Sequence, residues 1–182
     1  DTELMLKRLA PFLLIIGLTL LFFNQMAFTD KILARGDTYN YFYPYWDVRN
    51  EAFRNGELPM WSSDIFMGVP LLANPQLGTY YPPNWLTAPF RAPTAIKLSI
   101  ILHIMLAGVG MLMLYRTTIS RQILPAMTAA SVFALSGYVG AHVEQINQLQ
   151  GLAWMPLLFL FYHRLLMGDK PFRNGLFLAM AW

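Results

Sequence analysis

Carboxylates and amides that could carry out chemistry lie in two polar stretches of an otherwise apolar chain. The first stretch, residues 29–94, carries Asp37, Asp47, Asn74, Gln76 and Asn84. A carboxylate can act as a general base, and uncharged amides offer hydrogen bonds to hydroxyl groups. The structural alternatives are that Asp37 caps a turn, that Asp47 is a solvated charge on a helix face, and that the amides satisfy loop backbone groups.

The second polar stretch is "HVEQINQLQ", which begins at His142. Ionisable and amide groups at the end of a membrane span suit a phosphate, or a divalent metal that bridges a phosphate, because His142 and Glu144 are both metal-ligand types. Two ligands do not make a metal site. We therefore predict no metal-ligand set and keep a divalent metal as the open cofactor alternative. A plain polar loop gives the same pattern.

Composition places these stretches in a membrane protein. The chain has 182 residues, of which 56% are hydrophobic and only 13% are charged, against roughly 25% charged residues in an ordinary soluble domain. The net charge of +3 is small and its basic residues are scattered, which argues against a nucleic-acid partner. The absence of cysteine excludes disulfides, thiolate metal sites and cysteine nucleophiles.

The fold class predicted is an all-α polytopic membrane protein. A crossing helix needs about 20 mostly apolar residues. We predict four spans and the start of a fifth: about 9–28, 95–115, 123–141, 152–166, and from Gly175 onward. Because the chain starts without Met and stops inside an apolar run, we expect residues 1–182 to be the amino-terminal membrane module of a longer protein.

The basic residues orient these spans. Lys7 and Arg8, the arginines at 116 and 121, and the basic residues 164–173 fall on one side, which by the positive-inside tendency is the cytoplasmic side. The amino terminus is then cytoplasmic, and the long loop of residues 29–94 is extracytoplasmic.

Two local patterns predict packing. Pro44 near its start and Asn55-Gly56 at its end predict a helix over residues 43–55 of the loop, whose aromatic residues suit the membrane interface. Small residues four apart in the third span, and glycines in the second, favour close helix contacts. These small residues are Gly108, Gly110, Ala126, Ala130, Ser136, Gly137, Gly140 and Ala141.

The chain also resembles a known family. The segments "RGDTYNYFYPYW", "NGELPMWSSDIFMGVPLLANPQLGTYYPPNW", "LHIMLAGVGMLMLYR" and "FALSGYVGAH", followed by "LAWMPL", are similar in order and spacing to the amino-terminal part of YfhO-like bacterial membrane proteins, of the GT-C class of polytopic glycosyltransferases. The resemblance covers about residues 30–160. Its most specific part is Gly36, Asp37, Gly56, Leu58, Pro59, Trp61, Gly68, Pro70, Asn74, Pro75, Gln76, Gly78, Tyr81, Pro82 and Asn84.

The resemblance implies a function and a site. It implies a glycosyltransferase of the bacterial cytoplasmic membrane that moves a sugar from a polyprenyl-phosphate donor to a lipid or cell-surface glycan. Asp37 matches the position of the family's acid, just past the first span, and is the expected catalytic base. The substrate-binding candidates are Asp47, Asn74, Gln76, Asn84, His142 and Glu144.

One departure from the family leaves a second function open. GT-C proteins have many more spans than the four and a fragment found here. The alternative is a non-catalytic accessory or structural subunit of a larger membrane complex, which retains a GT-C-like module. The expected partners are the lipid-linked sugar donor and membrane lipids, with other transmembrane subunits under the alternative.

Overall fold

A computed structural model describes residues 2–34 and 36–181, and within these ranges the chain is α-helical. Its α-helices are α1 (Thr2–Phe22), α2 (Asn24–Phe28), α3 (Tyr43–Arg54), α4 (Pro82–Trp85), α5 (Ala92–Thr118), α6 (Ile123–Ala134), α7 (Gly137–Ala141), α8 (Ile146–Leu166) and α9 (Pro171–Ala181). A π-helical turn, Thr38–Phe42, leads into α3, and 3₁₀ turns form at Pro75–Leu77 and His142–Glu144. The described residues contain an isolated antiparallel bridge, Ser62 with Val69, and no longer strand. The all-α prediction is confirmed.

Two of the predicted spans have the length and apolar composition to cross a membrane. They are α5 and the segment Ile123–Glu144. The first predicted span is helical, but its apolar part, Leu9–Phe22, is short. A helix needs about 20 apolar residues to cross a membrane. The described part of the chain thus contains two segments that could span a membrane by length and composition, while the four-span arrangement remains a prediction.

The third predicted span is interrupted where α6 ends and α7 begins. The Ser136 hydroxyl accepts a hydrogen bond of 3.2 Å from the Val139 N–H, as an N-cap residue does at a helix start. Gly137 and Gly140 have no atom within 4 Å of where a Cβ would stand. Within the described residues, these two glycines therefore form no close helix contact.

Contacts divide the chain into two compact units. The first contains Asp1–Phe23, Leu102–Ala141 and Gln150–Trp182. Ile15, Leu112, Ala126 and Ala130 are buried together in its core. A Cβ added to Gly108 would stand 2.7 Å from Cγ2 of Ile15, so only glycine permits this approach. The predicted packing role of Gly108, Ala126 and Ala130 is confirmed.

The second unit contains Asn24–Ile101 and His142–Leu149. Its α3 matches the helix predicted over residues 43–55, with a proline in its first turn and Gly56 at φ +75° after its end. Several of its aromatic residues are buried by the protein itself, Trp46 being only 1% exposed. The aromatic face of α3 therefore contributes to the interior of this unit.

Arg49 of α3 lies at the centre of the second unit and is 0% exposed. Its Nη1 donates to the Leu77 carbonyl at 2.6 Å, and its Nε and Nη2 donate to Oδ1 of Asn50 at 3.0 and 2.9 Å. The guanidinium carbon stands 3.9 Å from the centre of the Trp46 ring, a cation–π contact. Asn50 in turn donates to the Phe90 carbonyl at 2.9 Å. The pair thus joins α3 to two distant segments of the loop.

Burial lowers the pKa of Arg49 to about 9, since a low-dielectric interior disfavours the charged form. The guanidinium is therefore still charged at neutral pH. Within the described residues, its charge is stabilised by oxygen acceptors and by the aromatic face rather than by a carboxylate.

We predict that Arg49→Met lowers the stability of the protein much more than Arg54→Met does. The first substitution leaves the Leu77 carbonyl and the Asn50 amide oxygen without their donors, at a cost of about 1–3 kcal/mol for each buried acceptor. Arg54 is an exposed residue of the same helix with two long hydrogen bonds, of 3.3 and 3.4 Å, and its loss should cost about 0.5 kcal/mol or less. Thermal unfolding midpoints in detergent test this, and equal losses would contradict the central role of Arg49.

Candidate functional site

A small polar cavity in the second unit contains the predicted catalytic residue. Its volume is about 160 Å³, and it is lined by Asp37, Tyr41, Phe42, Gln76, Gln145, Asn147 and Gln148. Asp37 is the only carboxylate among these residues, and the amides come from two segments about 70 residues apart in sequence. The fold thus brings both predicted polar stretches to one place.

The backbone at Gly36 sets the position of Asp37. Gly36 has φ +47°, a conformation that glycine adopts without strain. A Cβ added there would stand 2.5 Å from Oε2 of Glu144, so that carboxylate packs directly on the glycine that precedes Asp37. The Thr38 hydroxyl also donates to the Glu144 carbonyl at 3.3 Å. These contacts hold the start of the loop against the segment that begins at His142.

The Asp37 side chain makes no capping hydrogen bond to the π-helical turn that it precedes. The residue is exposed and has helical backbone angles, φ −66° and ψ −25°, whereas an N-cap residue usually has extended ones. Its carboxylate is therefore not engaged as a cap and borders the cavity.

Gln76 and Asn74 have different roles at the 3₁₀ turn Pro75–Leu77. The Asn74 Oδ1 accepts from the Gln76 backbone N–H at 3.1 Å, and its Nδ2 donates to the Tyr41 hydroxyl at 2.6 Å. Because the Tyr41 oxygen accepts this bond, its own proton remains available for donation to another group. Asn74 thus positions Tyr41, while the Gln76 side chain lines the cavity.

A second cavity adjoins this turn. It has a volume of about 350 Å³ and is lined by Leu72, Asn74, Pro75, Gly78, Thr79, Tyr80 and Tyr81. The Thr79 hydroxyl is buried and has no hydrogen-bond partner among the described residues. The Tyr80 side chain is 69% exposed. An aromatic wall and an unpaired hydroxyl are features that can receive a ligand with both apolar and polar faces.

Three other predicted site residues lie away from the Asp37 cavity. Asn84 is 1% exposed, and its Nδ2 donates to the Gly78 carbonyl at 3.1 Å. The Asp47 Oδ1 accepts a 2.8 Å hydrogen bond from the Ala92 N–H, at the start of α5. His142 is half-buried in its 3₁₀ turn and is not among the residues that line the cavity. Asn84 and Asp47 thus have defined structural contacts.

Sequence analysis did not select Tyr41 or Gln148 as site residues. Tyr41 precedes the predicted loop helix, and the fold stacks it on Tyr45, with 4.5 Å between ring centres, at the cavity wall. Gln148 was one of several amides in the second polar stretch. It follows Gln145 by three residues and Glu144 by four, a spacing that would have placed these side chains on one helical face.

Within residues 2–34 and 36–181, no three His, Asp or Glu side chains lie close enough together to hold a metal ion. The cavity therefore offers one carboxylate, one phenol and four amides as its polar groups. Such a set can accept a proton at Asp37 and can exchange hydrogen bonds with hydroxyl groups around it.

Comparisons with protein-family models, with curated proteins and with solved structures give no match to this chain.

We predict that Gly36→Ala destabilises the site more than Gly56→Ala does. Both glycines have positive φ, +47° and +75°, so each alanine carries a conformational cost of about 1–2 kcal/mol. Only at Gly36 would the new Cβ also displace the Glu144 carboxylate, because Gly56 has open space around it. Thermal unfolding of both variants tests this, and an equal loss would mean that the Glu144 contact contributes nothing.

Proposed function

We propose that the chain is part of a membrane glycosyltransferase of the GT-C class, similar to YfhO-like proteins, that transfers a sugar from a polyprenyl-phosphate donor. The acceptor is a lipid or a cell-surface glycan. The observation that carries the proposal is the position of the Asp37 carboxylate, without a capping hydrogen bond, in a cavity otherwise lined by amides, a phenol and one phenylalanine.

Asp37 acts in this proposal as the general base. The acceptor hydroxyl gives its proton to the Asp37 carboxylate while its oxygen forms a bond to the anomeric carbon of the sugar. The bond from that carbon to the donor phosphate breaks, and the phosphate leaves with the electron pair. The sugar is thus transferred with inversion, and a positioned base contributes about 10²- to 10⁴-fold to such a step.

The amides supply binding rather than chemistry. Gln76, Gln145, Asn147 and Gln148 can each donate to and accept from sugar hydroxyls, without a charge that would compete with Asp37 for the proton. The cavity has a volume of about 160 Å³, whereas ligand pockets usually have volumes of about 300 Å³ or more. We therefore place the reacting hydroxyl of the acceptor in it, with the rest of the acceptor extending outside.

The second cavity supports an extended acceptor site. It adjoins the same Asn74–Gln76 turn and has a volume of about 350 Å³. The exposed Tyr80 ring offers a flat apolar surface to the C–H face of a sugar, and the buried Thr79 hydroxyl offers a polar contact. We place a neighbouring part of the acceptor there.

The proposed setting is the bacterial cytoplasmic membrane. The chain crosses it with the helices of the four predicted spans, and α9 begins a fifth. The amino terminus is cytoplasmic, and residues 29–94, which carry Asp37 and line the second cavity, are extracytoplasmic. This placement follows from the basic residues of the short connections.

An accessory subunit is the second candidate function. It is favoured by the structural hydrogen bonds of Asp47, Asn74 and Asn84, which each bind the unit's own groups, and by the small volume of the Asp37 cavity. In that case the loop serves as a rigid packing module for other transmembrane subunits. Activity measurements separate the two functions.

We predict that Asp37→Asn in the full-length protein lowers sugar transfer by about 10²- to 10⁴-fold, because the amide cannot accept the acceptor proton. Folding should be unchanged, since Asp37 is exposed and forms no capping hydrogen bond. The measurement is transfer from a polyprenyl-phosphate sugar in vitro, at matched expression.

Two variants serve as controls for this measurement. Asp47→Asn keeps an oxygen that can accept from Ala92, so both stability and activity should be nearly unchanged. Glu144→Gln keeps the size of the side chain against Gly36 and should have a small effect. Full activity in Asp37→Asn would remove the catalytic role and leave the accessory function.

The topology can be tested with single cysteines, because the chain has none of its own. Ser62 is 4% exposed and paired with Val69, so the exposed neighbour Ser63 is the better position. We predict that an impermeant maleimide labels Ser63→Cys in intact cells and labels Gln122→Cys, also exposed, only after permeabilisation. The reverse pattern would overturn the orientation.

A further inference from the structure

Three arginines line one cavity in the first unit. The cavity has a volume of about 330 Å³ and is lined by Phe12, Met113, Arg116, Thr117, Arg121 and Arg164. No carboxylate is among these residues. The cavity therefore concentrates positive charge in a chain whose net charge is only +3.

The preference of cations for the carboxyl-terminal ends of helices explains the positions of only two of the three arginines. Arg116 lies in the last turn of α5 and Arg164 in the last turn of α8, where a cation interacts favourably with the helix dipole. Arg121, however, lies in the connection that follows α5, outside any helix. Three guanidinium groups that share one cavity also repel one another. An anion in the cavity would turn this repulsion into attraction.

The Arg116 side chain, which lines the cavity, has its hydrogen-bonding capacity only partly satisfied. Its Nε is buried and has no hydrogen-bond partner among the described residues, a costly state for a charged group. The Thr117 hydroxyl already donates to the Met113 carbonyl at 2.8 Å, so the guanidinium groups are the donors available to a ligand. Their planar geometry matches phosphate oxygens.

We propose that this cavity binds a phosphate group, and that the phosphate belongs to the headgroup of an anionic membrane lipid. The helix α5 has the length and composition of a membrane span, so arginines at its end lie where headgroups are expected. Phe12 and Met113 give the cavity an apolar wall, which suits an amphiphile better than a free ion. This site goes beyond the proposed transferase function and does not depend on it.

The test uses the purified full chain in an uncharged detergent at constant ionic strength. Its thermal unfolding midpoint is measured against dioctanoyl phosphatidylglycerol, dioctanoyl phosphatidylcholine and inorganic phosphate. We expect phosphatidylglycerol to raise the midpoint at lower concentration than phosphatidylcholine does. Arg116→Gln should raise the concentration needed for half of the shift about tenfold or more, since it removes a charge-assisted hydrogen bond.

Two further variants make the result decisive. Arg121→Gln removes an exposed side chain and should weaken the response without impairing folding, whereas Arg173→Gln changes an exposed arginine of α9 outside the cavity and should leave it intact. A shift with inorganic phosphate alone would support the phosphate site and overturn the lipid as its source. The site would be overturned if neither phosphatidylglycerol nor inorganic phosphate raised the midpoint. It would also be overturned if Arg173→Gln weakened the response as much as Arg116→Gln does.

Discussion

The buried guanidinium of Arg49 is the interaction on which the second unit depends. A charge with no exposed surface is costly unless its donors are satisfied, and this one binds the Leu77 carbonyl and the Asn50 amide and lies over Trp46. Asn50 extends the network to the Phe90 carbonyl. A stretch with little regular structure between α3 and α5 is thereby tied to one helix.

This anchoring determines where the candidate site can form. The 3₁₀ turn that ends at Leu77 is held by Arg49 at one end, and Asn74 at its other end holds Tyr41. Since the π-helical turn containing Tyr41 runs directly into α3, the same helix carries both the anchor and one wall of the cavity. The polar groups around Asp37 thus stand on a rigid framework, as a binding or catalytic site requires.

Two kinds of polar site differ in what surrounds them. The other residues that line the Asp37 cavity are uncharged, and this favours hydrogen bonding to hydroxyls over the binding of an ion. Around Arg116 the neighbours are two further arginines and an apolar wall, which favours an anion with an apolar part. The chain thus has two polar cavities of different chemistry, one lined mainly by amides and one by arginines, within different units.

Local patterns in the sequence were sufficient for several features. The proline and the Asn-Gly pair at its two ends predicted α3, because these residues act through their own backbone conformations. Apolar length predicted α5, and small residues predicted the close contact at Gly108. Each of these features depends on residues near one another in the chain, or on composition alone.

Contacts that no local pattern indicates decided the rest. The sequence suggested Asp47 and Asn84 as ligand-binding residues, but the fold provides them with backbone partners 45 and 6 residues away. No pattern indicated that Arg49 is buried, because arginine is usually exposed and only the approach of Leu77 and Trp46 makes its burial tolerable. The sequence determined which chemical groups were available. Tertiary packing determined which of them form hydrogen bonds within the fold and which, like Asp37, lie beside a cavity.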